Sequence, residues 1–349
     1  MKANSNIPQP APSATDGQMH VRRNAVLHAD CLACAENSTL VSCAFAFVFS
    51  AARILMAIVA LLLLMLLPLT AQSFAERATP HADSVVAQPV IDIFSKPSLD
   101  SDVISQAIYG TNIVTLAHQG EWARIRTADA YTGWVEAKNL RPLPAAGYPA
   151  AGRVVQITAL GANVYREPDL TKHAPVLRLP WEALLEAIPD APGNTGRWLA
   201  VRLADGQTAW VQQGDITTAP RTLSIDETLQ LARRFLGITY TWGGVSSFGF
   251  DCSGFTQMLV RQRGTLMPRD ANVQAAWKGV EAVAERKDLE PGDLLFFGAS
   301  ADKITHTGMY IGQGEFIHDT VHEHPGVQIS KLDDPYWSHL LVAMRRVKP

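Results

Sequence analysis

The sequence predicts an α+β chain: two small antiparallel β-barrels, then a domain that mixes amphipathic helices with strands. Three observations predict it. A segment of alternating strands around paired tryptophans occurs twice, within residues 83–147 and 150–220. From residue 222 the pattern changes to helical periodicity with glycine stops. After Leu289 it returns to an apolar strand and a glycine-turned hairpin. At 349 residues two or three domains are expected, and 47% hydrophobic with 18% charged residues describes a chain able to bury cores. A formal charge of −3 with no basic patch argues against a nucleic-acid partner.

Residues 1–75 differ from the rest. Residues 1–30 are rich in Ser, Pro and Ala and read as disordered. Arg53 then precedes an unbroken apolar run, Ile54 to Leu67. The run is short of the roughly 20 residues of a bilayer span but suits the core of a signal peptide. Ser73 and Ala75 supply the small residues of a cleavage site after Ala75. The alternative is an uncleaved anchor over residues 52–71, lengthened by Val41–Ser50. Either predicts export, to the periplasm or cell envelope. Cys31, Cys34 and Cys43 all precede the apolar run, so processing would leave Cys252 as the one thiol. In an exported protein an unpaired thiol points to chemistry more than to packing.

The first repeat contains Val90–Ser101 and then Glu121–Leu140; the second contains Gly161–Lys172 and then Arg197–Ile216. Trp122 and Trp134 are the same interval apart as Trp198 and Trp210. Between each pair run a strand, a polar turn and a second strand, the pattern of a small β-barrel. The tryptophans are expected in packing. "GWV" (Gly133–Val135) and "AWV" (Ala209–Val211) resemble the end-strand signature of bacterial SH3-like modules.

Ser224 at the N-cap and Glu227 three residues on form a capping box for a helix ending at Gly237, with Leu229, Ala232, Phe235 and Leu236 as its apolar face. After Gly243–Gly244 the chain reaches Asp251, Cys252 and Ser253, and a second helix carries Phe255, Met258, Leu259 and Gln262 before stopping at Gly264. Cys252 then lies in the first turn, where free N–H groups and the helix dipole favour a thiolate, so a lowered thiol pKa is expected. Asp251 or Ser253 caps that turn. Ile304–Thr320 reads as a hairpin turning at Gly312–Gly314, with His306 and His318 as cross-strand or diagonal neighbours on one face. One imidazole can serve the thiol as base while the other fixes its tautomer.

"DCSGF", "PRD" (Pro268–Asp270), "PGDLLFF", "HTGMYIG" and "FIH", in this order over about Ser224–Met344, resemble the NlpC-type cysteine peptidases of bacterial cell walls (the NlpC/p60 superfamily). The resemblance implies a papain-like α+β domain and cleavage of the amide between D-γ-glutamate and the diamino acid of peptidoglycan stem peptides. It implies Cys252 as nucleophile, His306 as base and His318 as the orienting third member. Members with two N-terminal SH3-like modules resemble the whole chain from about residue 85 and act on stems with a free N-terminal L-alanine. From them Tyr240, Asp251, Ser253 and Asp270 are implied to line the site, with Tyr131 inserted from the first module's "AYTGWV" turn. The second module has Gln207 at that place, and Ala271 departs from the usual "PRDS". No cofactor is implied. A zinc set of Cys252 with His318, His322 and His324 is disfavoured, because Pro325 and Gly326 mark an exposed loop. The competing functions are an amidase or acyltransferase on another wall amide, and a wall-binding protein whose last domain is inert.

Overall fold

The structure, a computed structural model, describes residue 79 and residues 81–348. The N-terminal tail, the apolar run with the expected cleavage site, and Cys31, Cys34 and Cys43 lie outside the described residues. Among the described residues no helix is long and apolar enough to cross a membrane.

The first sheet has seven strands: β1 (Ser84–Val86), β2 (Val90–Phe94), β3 (Val103–Ile108), β4 (Asn112–Gln119), β5 (Trp122–Arg126), β6 (Thr132–Glu136) and β7 (Leu140–Pro142). Its spatial order is β3-β2-β6-β5-β4-β1-β7. The second sheet comprises β8 (Val154–Ile157), β9 (Gly161–Tyr165), β10 (Leu177–Pro180), β11 (Leu184–Ala187), β12 (Trp198–Arg202), β13 (Thr208–Gln212) and β14 (Ile216–Thr217). Its order, β10-β9-β13-β12-β11-β8-β14, reproduces the first strand for strand. The tryptophan hairpins share a register as well: Arg124 faces Trp134 and Ala200 faces Trp210. Each barrel keeps one edge-on aromatic pair, Phe94 with Trp122 and Tyr165 with Trp198. The cores themselves are aliphatic, built from the alternate inward positions Ala123, Ile125 and Val135, and Ala200, Ala209 and Val211. Of the four tryptophans only Trp198 is fully enclosed, so the others flank the barrels rather than fill them.

The last domain centres on a six-stranded antiparallel sheet, β17-β22-β18-β19-β20-β21. Its strands are β17 (Val280–Ala282), β18 (Leu294–Gly298), β19 (Ile304–Gly312), β20 (Glu315–Thr320), β21 (Gly326–Lys331) and β22 (Leu341–Val347). A two-residue pairing, β15 (Val245–Ser246) with β16 (Gly249–Phe250), shapes the loop before the helix that begins at Cys252. The helices are α1 (Ile225–Arg234), α2 (Cys252–Gln262), α3 (Ala271–Ala275) and α4 (Pro335–Leu340). Side-chain alternation divides the sheet. Leu294, Phe296, Met309, Ile317 and Val327 pack with Phe255, Met258 and Leu259 of α2. Leu295, Phe297 and Phe316 pack with Trp337 of α4 on the other face.

The capping box forms at the start of α1, with Ser224 and Glu227 each bonding the other's backbone N–H. Its apolar face differs from the expectation. Leu231, Ala232 and Phe235 are buried, whereas Leu236 is 45% exposed. The helix ends at Arg234 with Phe235 as C-cap, so Leu236 follows the turn outward instead of continuing the helical stripe.

Candidate active site

Asp251 is the N-cap of α2. Its Oδ1 accepts from Gly254 N–H at 2.7 Å and from the Ser253 hydroxyl at 3.3 Å, and its Oδ2 accepts from Gly243 N–H at 3.0 Å. Arg269 closes on the same carboxylate with both Nη atoms, at 3.0 and 2.6 Å, a bidentate ion pair with both partners buried. Arg269 also donates to the Ser253 hydroxyl at 2.7 Å and to the Ser105 hydroxyl of β3 at 3.0 Å. The lone pairs of Asp251 are thus occupied by the protein, and this group anchors the start of α2. Gly254 must lack a side chain, because a Cβ there would run into the carbonyl of Gly244.

Cys252 opens α2 and is buried. Backbone N–H groups of Thr307, the residue after His306, and of Ser253 lie beside its sulfur and favour the thiolate. Among the described residues the thiol forms no hydrogen bond to either imidazole. Burial and the neighbouring Asp251 carboxylate push the thiol pKa up to about 12, against the two N–H donors and Arg269. The expected lowering is therefore overturned: desolvation and a like charge outweigh the helix start.

His306 on β19 and His318 on β20 are diagonal neighbours, joined by His306 Nε2 and His318 Nδ1 at 2.7 Å. The remaining nitrogen of His318, Nε2, lies 3.0 Å from the Ser330 hydroxyl on β21. Gly308, across from His318, leaves the room this ring needs, since a Cβ there would sit 3.0 Å from the Cβ of His318. Burial holds the His306 imidazole down to about 3, and burial with the neighbouring rings lowers His318 well below the usual histidine range. The resting site therefore holds a neutral thiol and neutral imidazoles.

The Tyr131 hydroxyl, at the turn between β5 and β6, lies 3.3 Å from both Asp270 Oδ1 and the Ile104 carbonyl, which share its one proton. Asp270 is the N-cap residue of α3 but makes no side-chain cap, which leaves its carboxylate facing Tyr131. Burial raises its pKa against the pull of Arg269 and Tyr131. Burial and Asp270 together raise the Tyr131 phenol to about 12. Tyr240 precedes α2 and is bridged to Phe250; burial and the nearby Cys252, Asp251 and Asp319 raise its pKa. His322 is stacked on Tyr336.

Sequence reasoning overlooked three groups. Arg269 was visible only as the middle letter of "PRD", yet it ties the cap of α2 to the first β-module. Ser330 carried no motif beyond its alternate position on a strand. Asp319 is fully buried, and burial with Asp251 raises its pKa to about 8, against the pull of the backbone N–H groups of Thr320 and Phe250.

Comparison with known proteins adds family and relatives. The NlpC/P60 family model matches residues 237–346, and the bacterial SH3 domain model matches residues 89–141, within the first sheet. A gamma-D-glutamyl-L-lysine dipeptidyl-peptidase of Bacillus cereus is 29% identical over 260 residues, covering 70% of this chain and 75% of that protein. One from Bacillus subtilis is 28% identical, covering 71% and 82%. A solved NlpC/P60 family structure from Bacillus cereus aligns with 77% of this chain and all of its own, at a TM-score of 0.66 and 24% identity, which shows a shared fold.

Proposed function

Because the chain belongs to the NlpC/P60 family through its last domain, with a bacterial SH3 domain ahead of it, we propose that it is an exported endopeptidase of peptidoglycan stem peptides. It is a cysteine-type hydrolase. The bond cleaved is the amide between D-γ-glutamate and the diamino acid, in stems or released muropeptides that begin with a free L-alanine. The two Bacillus relatives named above support the bond. One observation carries the preference for a free amine: Tyr131 of the first module reaches Asp270 beside the nucleophile helix. That contact leaves a carboxylate spent on neither a cap nor an ion pair, the partner an ammonium group requires. Asp251, spent on Arg269 and the helix cap, serves the site by holding α2 and not by binding the amine.

In the reaction, the thiol turns from the Thr307 N–H toward His306 and passes its proton to Nδ1, the ring nitrogen not engaged by His318. The sulfur attacks the γ-carbonyl, the C–N bond breaks, and His306 returns the proton to the leaving amine of the diamino acid. His306 then takes a proton from water, whose oxygen opens the thioester and frees Cys252. Tyr240, close to the thiol, and Ser253 complete the wall around the reacting carbonyl. The second β-sheet, which repeats the strand order of the first, is read as a second SH3-like module over residues 150–220. Export rests on the apolar run at Ile54–Leu67, either cleaved as a signal or kept as an anchor.

The test uses L-Ala-γ-D-Glu-L-Lys and its N-acetylated form. The native protein is expected to release L-Ala-D-Glu from the first and little from the second, and Cys252→Ala to release none. Undiminished release by Cys252→Ala would overturn the proposal. Equal cleavage of both peptides would remove Tyr131 and Asp270 from amine recognition.

A further inference from the structure

The two histidines do not end the hydrogen-bonded chain. On three adjacent strands of one sheet, His306 (β19), His318 (β20) and Ser330 (β21) form a continuous line at 2.7 and 3.0 Å. The register explains the line. Phe316 pairs with Ser330 and His318 with Gln328, so Ser330 is diagonal to His318 on one side as His306 is on the other. His318 is fully buried, and its ring is enclosed by Phe316 and Trp337, with centroids 4.5 and 4.7 Å away. Each of its nitrogens therefore has one partner. Nδ1 has His306 and Nε2 has Ser330.

We infer that Ser330 is a positioning residue of the proposed peptidase: its hydroxyl accepts from His318 Nε2–H, so that the tautomer whose Nδ1 is an acceptor for His306 buries no unpaired N–H. The bookkeeping of protons requires this polarity. For His306 to take the thiol proton on Nδ1, its other proton must reside on Nε2 and be donated to His318 Nδ1. His318 Nδ1 is then proton-free, and the proton of that neutral ring sits on Nε2, where Ser330 is the acceptor. In the opposite arrangement His318 Nδ1–H donates to His306, which must then carry its own proton on Nδ1 and cannot accept the thiol's. A hydroxyl tolerates both directions. When the hydroxyl is deleted, the productive arrangement buries an unpaired N–H, while the unproductive one buries only an unpaired acceptor lone pair.

This inference rests on the peptidase reading, and its test separates the two. Histidine ring 15N spectra of the native protein are expected to show His318 protonated at Nε2 and not at Nδ1 near neutral pH. The reverse assignment overturns the inference whatever the protein hydrolyses. With L-Ala-γ-D-Glu-L-Lys as substrate, Ser330→Ala is expected to lose about tenfold to a hundredfold in kcat with KM little changed, and to show a mixed or reversed His318 tautomer. Ser330→Thr, which keeps a hydroxyl, should retain both the tautomer and most of kcat. Native-like kcat and tautomer in Ser330→Ala would overturn the role, as would equal loss in Ser330→Thr and Ser330→Ala. Failure of the native protein to cleave the peptide would count against the function and leave the tautomer measurement to decide on Ser330.

Discussion

The two β-modules share strand order and hairpin register, yet they meet the last domain in unlike ways. The first meets it through polar groups near the start of α2. Tyr131 bonds Asp270, Asp129 accepts from Gln257 of α2 at 2.8 Å, Ser105 accepts from Arg269, and Trp242 donates to the Val103 carbonyl at 2.9 Å. The second meets it through buried structure. Trp181 enters the core of the last domain edge-on to Phe235, and Glu182 forms a bidentate pair with Arg261 at 2.8 and 2.7 Å. One fold thus borders the candidate site in one copy and forms a brace in the other. What separates them is the cargo of a few loop positions, such as Tyr131 against Gln207 at the equivalent turn.

The contrast is broken most strongly at the brace. Trp181→Ala removes a buried indole from an interdomain core and should cost about 3–5 kcal/mol in denaturant unfolding. The folded fraction should keep its KM, and a large KM change would show that the second module also touches substrate.

Asp319 gives a measure of what the last domain costs without either module's contacts. Its carboxyl is raised to about 8 in the fold, so between about pH 4 and 8 the folded chain binds a proton that the unfolded chain does not. Stability should fall as pH rises through that window, by about 1.4 kcal/mol for each unit of displacement. Asp319→Asn should flatten the slope in thermal melts taken across it, and an unchanged slope would assign it to other groups.

At the wall, Tyr131→Phe should raise KM for the free-amine peptide by about fivefold to tenfold, the value of one ordinary hydrogen bond, with melting unchanged. Gln207→Ala at the matching turn, where the side-chain amide donates to its neighbour Asp205, should stay within about 0.5 kcal/mol and leave kinetics alone. A kinetic effect of Gln207→Ala would erase the distinction between the modules.

Much of this was legible in local pattern. The capping box at Ser224, the cysteine at a helix start and the diagonal histidines follow from spacing within short windows. What escaped was set by distant partners. The thiol pKa turns on burial and on Asp251; Asp251 is claimed by Arg269, and Arg269 by Ser105 from another domain. Leu236 was misplaced because the helix ended one turn early, and Ser330 because a lone serine on a strand has no periodic signature.

The central claim is that a thiol, neutral at rest, becomes the acyl carrier. Acid-quenching the protein with L-Ala-γ-D-Glu-L-Lys during turnover and mapping the trapped mass by peptide mass spectrometry tests it directly. An L-Ala-D-Glu adduct on Cys252, absent from Cys252→Ala, is the predicted result. Turnover with the adduct on another residue, or persisting in Cys252→Ala, would contradict it.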